Sequence, residues 1–327
     1  MVFFIAYGCS DNETPIHDET TKAPESKEVL TLLNSKKAND TPFKLPRESI
    51  IFEENLYVVD ESKTYKYSFD SNSWETINAA SEGVAVFPYL NYNISFIRNK
   101  KWHILNEYSL SMFDFTSNTW EEIKRFQNSD LHATIGVYVN ETLYVFSDII
   151  RDEIFKYDFE NNELLPYSTF EKKPNYGQLV KSIYKIGESY YFTKLSDYNS
   201  ISIYKWNNNF KTLEYINEYE TEYIAQGSGF AYKDNIIFGL GGENSVDENG
   251  EITSFKLTDK FYYYNVTNNE FHEVKNSFYQ GRFASLPIKH DDSFFLLGGY
   301  TILNNQRKEV QVMDQLSFKK TIEIINP

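Results

Sequence analysis

Cysteine occurs once in this chain, at position 9. No disulfide can form within the chain, and a zinc site built on cysteines is excluded. Histidine is nearly as scarce. The five residues, at 17, 103, 132, 272 and 290, are scattered, with none at the close spacing of a metal motif. No metal and no cofactor is expected. Basic residues are in deficit, 32 Lys and Arg against 47 Asp and Glu, for a formal net charge of −15. That balance argues against nucleic acid, whose phosphates need clustered Lys and Arg. It argues equally against an electrostatic grip on an anionic membrane surface. No apolar run approaches the ~18 residues of a membrane-spanning helix. Neither a Gly-x-Ser-x-Gly nucleophile turn nor a glycine-rich phosphate loop is present.

Aromatic rings are abundant: 17% of the chain, with 26 Tyr and 26 Phe. Flat rings pack well on pleated sheets. Many of them sit in a phrase that returns six times. Its clearest copy is Met112-Phe113-Asp114-Phe115-Thr116-Ser117-Asn118-Thr119-Trp120. An aromatic pair ends one strand, a Ser/Asn-rich turn follows, and a large ring opens the next strand. The other copies run from Tyr67 to Trp74, Tyr157 to Leu164, Tyr204 to Phe210 and Tyr264 to Phe271, with an eroded one from Met313 to Phe318. The anchors at 67, 113, 157, 204, 264 and 313 are spaced by 46, 44, 47, 60 and 49 residues. A period in the forties built from strands predicts an all-β fold, a six-bladed β-propeller of four-stranded antiparallel blades.

The blades are expected at about 44–79, 80–127, 128–172, 173–220, 221–277 and 278–327, together forming one domain over 44–327. In blade two, Val84 opens the inner strand, Ile94 to Ile97 form the second, and Asn99 to Tyr108 form a long loop holding Trp102 and His103. In blade six, Val310 to Asp314 and Phe318 to Ile324 make the last two strands, so every blade supplies its own outer strand. Trp74, Trp120 and Phe271 read as pegs between blades. Ahead of the propeller, 10–43 reads as a disordered tether, since its Ser10 to Glu28 tract is too polar to bury a core. The apolar run Val29 to Leu33 stands as a loop or as an extra strand on an outer blade edge, where it would close the ring.

Two resemblances follow from these residues. The Gly-Gly doublets Gly241-Gly242 and Gly298-Gly299, with Gly281-Arg282 before an inner strand, resemble the kelch repeat. Glycine there tolerates positive φ and close backbone approach. Blades one to four lack the doublet. The stub Met1 to Gly8, the lone Cys9 and the polar tract behind it resemble a bacterial lipoprotein signal. The resemblance implies that 1–9 is a leader ending at a lipidated Cys9 and that Ser10 after it suits outer-membrane delivery. A basic leader segment is missing, and Ala6 stands where Leu is usual.

Connections between strands two and three share a face with the connections between blades. That face carries the polar stretches Asn99 to Tyr108, Asp148 to Asp152, Glu243 to Leu257 and Tyr300 to Lys308, and binding usually sits on such loops. The ligand-binding candidates are Trp102, Arg151, Glu243, Arg282 and Tyr300. Arg282 could clamp a carboxylate bidentately or, as kelch-type arginines do, hold backbone between blades. Glu243 could move a proton if desolvated or be a solvated loop carboxylate. Trp102 and Tyr300 could stack on a sugar ring, though Trp102 also suits a blade cap; Arg151 and Asp152 read most simply as a surface pair.

The reading is a non-catalytic binding module of the bacterial envelope, a monomer held to the outer membrane only through Cys9, engaging a protein or glycan through its loop face. One alternative is a cofactor-free envelope sugar enzyme similar to bacterial sialic acid mutarotases, with Arg282 and Glu243 as its parts. The other is a cytosolic interaction scaffold. The copper chemistry of kelch-type galactose oxidase needs a Tyr–Cys crosslink, which a chain whose one cysteine lies at position 9 does not offer.

Overall fold

The structure is a computed structural model. It describes residues 25–43, 45–60, 63–77, 93–106, 108–126, 134–147, 153–169, 179–197, 200–207, 210–221, 228–239, 242–246, 252–258, 260–275, 281–282, 284–304 and 306–325. Among these there are strands and turns but no helix. Strand β1 (Glu25–Asp40) comes first. Blade one is β2 (Glu48–Phe52), β3 (Asn55–Val59), β4 (Thr64–Ser68) and β5 (Ser73–Ile77). Blade two is β6 (Ile94–Arg98), β7 (Lys101–Leu105), β8 (Ser109–Asp114) and β9 (Thr119–Arg125). Blade three is β10 (Thr134–Val139), β11 (Thr142–Ser147), β12 (Glu153–Asp158) and β13 (Glu163–Thr169), and blade four is β14 (Leu179–Ile186), β15 (Ser189–Asp197), β16 (Ser200–Trp206) and β17 (Leu213–Glu220).

Blade five starts with β18 (Ser228–Tyr232) and β19 (Asn235–Gly239). It then sends out a ribbon of β20 (Gly242–Val246) and β21 (Ile252–Leu257) before β22 (Phe261–Asn265) and β23 (Glu270–Glu273). Blade six has β24 (Leu286–His290) and β25 (Ser293–Leu297), a ribbon of β26 (Tyr300–Leu303) and β27 (Gln306–Glu309), and the long β28 (Val312–Ile325). Each blade is an antiparallel four-stranded sheet. The inner strands β2, β6, β10, β14, β18 and β24 each touch the next, and β24 returns to β2, so the ring is closed. The protein is a six-bladed β-propeller.

The repeated phrase has a physical basis. Four of the six anchors stand directly opposite the ring or leucine that opens the next strand: Tyr67 faces Trp74, Phe113 faces Trp120, Tyr157 faces Leu164 and Tyr264 faces Phe271. Five residues after each of these four anchors an asparagine takes a left-handed conformation: Asn72, Asn118, Asn162 and Asn269, with φ between 51° and 58°. Asparagine accepts that conformation better than most residues. Its side chain then receives the anchor's hydroxyl, at 3.4 Å for Tyr157 to Asn162 and 2.7 Å for Tyr264 to Asn269, and likewise for Tyr67 to Asn72. Asp114, Asp158 and Asn265 cap the same turns by accepting backbone N–H groups. The phrase is thus a hairpin, an aromatic pair and a buried hydroxyl latch in one unit.

The core is six separate seams, one between each pair of neighbouring blades. Tyr57, Val59, Trp102, Ile104 and Phe113 fill the seam between blades one and two. Blades five and six enclose Phe230, Ile237, Phe261, Tyr263, Phe294 and Leu296. Trp74, Trp120 and Phe271 pack against three of these clusters, as pegs between blades. A large apolar side chain fully withdrawn from water contributes ~1.5–3 kcal/mol, so each seam is a substantial adhesive patch.

Three sequence expectations are corrected. In blade two, Ile94 to Arg98 is the inner strand, and Trp102 and His103 lie in the second strand rather than in a loop. The missed turn is Asn99-Lys100, a two-residue hairpin with both residues at positive φ and no glycine to announce it. In blade four, Tyr204 faces Tyr215, not Phe210; Phe210 sits in the turn at φ 58° with its ring buried.

In blade six, no turn follows Met313. The third strand continues to Ile325, and β1 pairs alongside it from Glu25 against Ile325 to Asp40 against Val312. Residues 25–40 are therefore strand rather than tether, and Val29 to Leu33 belongs to the closing strand. Alternating Leu30 and Leu32 drives this, since both sink into the seam between blades five and six. The outer edge of β1 carries Lys36 and Lys37 and two bulges, features that discourage further strand pairing.

Candidate functional site

The upper face of the ring carries the connections between strands two and three. In blades five and six these polar stretches are β-ribbons, β20–β21 and β26–β27, and the two ribbons touch through β21 and β26. Their feet are built from the glycines. Gly298 and Gly299 have φ of 59° and 98°, a left-handed path that disfavours a side chain. At Gly239 a Cβ would stand 2.4 Å from the Lys260 carbonyl oxygen, so only glycine lets the two stems approach.

Arg282 locks the second foot. Its side chain is buried, pairs with Asp314 of β28 and donates from Nη1 to the Gly298 carbonyl at 3.2 Å. Ser285 donates to the same carbonyl at 3.2 Å, and Thr301 of β26 donates to the Gly281 carbonyl at 3.0 Å. Gly281 lies so close to β21 that a Cβ would be 2.9 Å from that of Leu257. The segment Gly281-Arg282 thus threads between the ribbons and ties both to the blade. Arg282 holds backbone within blade six through Gly298, not between blades. Its guanidinium is committed inside the protein.

The other sequence candidates fall elsewhere. Trp102 is fully buried in the seam between blades one and two, with its indole N–H donated to Ser95 Oγ at 2.6 Å. It offers no face to a sugar here. Tyr300 begins β26, and the Arg307 guanidinium lies 5.0 Å above its ring. Glu243 stands in β20 opposite Lys256. Arg151 and Cys9 lie outside the described residues. The structure brings Arg282, Tyr300 and Glu243 to the same pair of blades and leaves Trp102 apart.

Sequence reasoning missed a second group. Arg47, Glu48 and Asn93 stand at the upper ends of the inner strands of blades one and two, and all three are buried. Asn93 Nδ2 donates to the Arg47 carbonyl at 3.4 Å. With Ser285 and Arg282 in blade six they form an arc of buried polar groups over three neighbouring blades. The signal was Arg47-Glu48, charged residues at the head of an inner strand, where apolar ones are usual. Nearby, burial and a 2.8 Å hydrogen bond to Asp60 push the Tyr65 phenol well above its ordinary pKa, so it remains a donor. Among the described residues no group of three or more His, Cys, Asp and Glu is placed to hold a metal ion, and no helix is long and apolar enough to cross a membrane.

No protein-family model and no curated protein matches the sequence. The fold, however, has close counterparts among solved structures. One is that of YjhT, which superposes with a TM-score of 0.58 over 86% of this chain and 98% of that one, at 12% identity. At that identity the likeness is one of fold alone.

Proposed function

We propose that this protein is a non-catalytic binding module of the bacterial envelope, anchored to the outer membrane by a lipid on Cys9 and engaging a protein or glycan through its upper face. The observation that carries the reading is the paired ribbon. Two arms rise from neighbouring blades, touch each other, and are braced at the foot by Arg282, Asp314, Ser285 and Thr301. A rigid scaffold holding projecting polar elements is how propellers and other β-folds present recognition surfaces. The β26–β27 ribbon exposes Leu303, Gln306, Arg307 and Lys308 in an otherwise acidic protein. Leucine beside arginine gives such a surface both apolar contact and directional hydrogen bonding.

The sugar-enzyme alternative needs Arg282 as a free carboxylate clamp. Its engagement with Asp314 and Gly298 weighs against that role. The test is a thermal-shift screen of the whole chain against free sugars, glycans and candidate envelope proteins, repeated with Arg307→Ala/Lys308→Ala. A ligand at ~100 times its dissociation constant adds ~2.7 kcal/mol to the folded state. A shift that disappears in the ribbon variant supports the reading. Turnover of a bound sugar, or the absence of binding by every member of the panel, sinks it. Palmitate labelling that is absent in the wild type as well as in Cys9→Ser would favour the cytosolic scaffold.

A further inference from the structure

The seam between blades one and two changes character along its length. At its lower end blade two presents Ile97, Trp102, Phe113 and Trp120 to blade one. Two residues higher on each strand, Ser95, Ile104 and Ser111 stand side by side. Above them come Asn93, Asn106 and Ser109. Alternation along β8 puts Ser109 and Ser111 on the same side as Phe113, facing blade one. Asn93 reaches blade one directly, through its bond to the Arg47 carbonyl.

Three side-chain atoms in these two upper rows have no hydrogen-bond partner and are shut off from solvent: Asn93 Oδ1, Ser109 Oγ and Ser111 Oγ. Across the seam, Glu48 stands opposite Val59, which lines the same seam, so the register places it on the side facing blade two. One of its carboxylate oxygens accepts the Ser49 N–H at 3.0 Å. A buried polar group without a partner costs stability, and native proteins keep few of them without a reason. Three in one seam, beside a buried carboxylate, is a concentration that packing alone does not call for.

We propose that the upper end of this seam is a binding site for a small neutral polyhydroxylated ligand, a sugar or polyol, that enters as the two blades part. The inference rests on the reading of the upper face as the ligand-binding one. The donor set selects the class. Asn93 Oδ1 needs a donor. The two serine hydroxyls each give and accept a bond, as ligand hydroxyls do in return. The unpartnered atoms are one amide oxygen and two hydroxyls, none of them charged, so they match neither an anion nor a divalent cation. The site is closed in this structure, so association is slow and binding protects the seam's backbone amides from exchange.

The test uses the full chain and a panel of neutral monosaccharides, inositol and glycerol at millimolar concentration, followed by calorimetry and hydrogen exchange. Ser109→Ala/Ser111→Ala removes two unpartnered hydroxyls, so the unliganded variant melts no lower than the wild type. Its affinity for the bound polyol falls about tenfold or more, the effect of losing one or two hydrogen bonds to the ligand. Asn93→Asp, of nearly the same shape, weakens binding as well. Exchange protection appears in β6 and β8 when ligand is present. The proposal is overturned if no neutral polyol binds, or if one binds equally well to the serine variant. A sugar whose binding is lost in the ribbon variant but not in the serine variant overturns the seam site alone and leaves the binding-module reading standing.

Discussion

Thr31 and Lys275 lie side by side in a parallel bridge, although one belongs to the first strand of the chain and the other to the end of blade five. Lys275 donates its N–H to the Leu30 carbonyl and accepts from the Leu32 N–H, both at 3.0 Å. The strand that completes blade six is therefore also stitched to blade five. At its other end Asn39 donates to the Asn72 carbonyl of blade one at 2.8 Å. One strand clasps three blades.

The clasp predicts a strong effect from a change far from any loop. Leu30→Ala empties a fully buried position between blades five and six and is expected to cost about 2–5 kcal/mol. Equilibrium urea unfolding measures it. A loss under 1 kcal/mol would mean that β1 contributes little to ring closure.

Arg282 and Asp314 form a buried pair, and its two halves should behave unequally. Arg282→Ala leaves a carboxylate buried without its cation, at a cost of about 3–5 kcal/mol. Arg282→Met together with Asp314→Leu removes both charges and is expected to recover most of that loss. Comparing unfolding free energies of the single and double variants decides it; a double variant as unstable as the single one would show that the arginine's bond to the Gly298 carbonyl dominates.

His103 gives the fold a defined response to acid. Its ring is buried against Phe96, at 5.1 Å between centroids, and hydrogen-bonds at 3.1 Å to the Lys101 carbonyl. Burial is the main cause of a pKa lowered from 6.5 to about 4, and the Arg98 and Lys101 charges add to it. The unfolded chain takes up this proton as pH falls through 6.5, while the folded chain resists until about 4. Stability from this group is complete above pH 6.5 and declines as pH drops toward 4, by about 3 kcal/mol in all. In His103→Gln that part of the decline should vanish from a series of urea titrations between pH 7 and 4; an unchanged slope would assign it to other groups.

Lys100 should be improvable. It occupies the second position of the Asn99-Lys100 turn at φ 55°, where a residue with a Cβ costs about 1 kcal/mol. Lys100→Gly creates the favoured Asn-Gly pair and is expected to raise stability by about 0.5–1 kcal/mol. A fall in the denaturation midpoint would mean that the lysine side chain makes up the difference.

These residues also show what could be read from the sequence. The six-fold period was legible because the latch between Tyr264 and Asn269 is local: the anchor, the turn and the Phe271 ring of the next strand all lie between 264 and 271. The turn at Asn99-Lys100 was not, because its left-handed residues are set by hairpin twist rather than by glycine. Phe210 misled for a related reason, since a large ring in a turn looks like the start of a strand. The eroded sixth copy was itself a sign, as no turn chemistry follows Met313, but the strand that replaces the missing one lies nearly three hundred residues away in the chain. The pairing of Arg282 with Asp314 and the burial of Asn93 likewise depend on which blade ends meet, which short-range patterns do not carry; only Arg47-Glu48, charged at the head of an inner strand, left a local sign.

The register of β1 against β28 sets Glu25 opposite Ile325, so the start of β1 and the end of β28 lie at one point of the rim. A short linker from 325 to 25 would turn the chain into a covalent circle without disturbing a strand pair, and the circle could be cut at any exposed hairpin. Whatever is attached at either end hangs from the same spot on the circumference, leaving both flat faces of the disc open to neighbours.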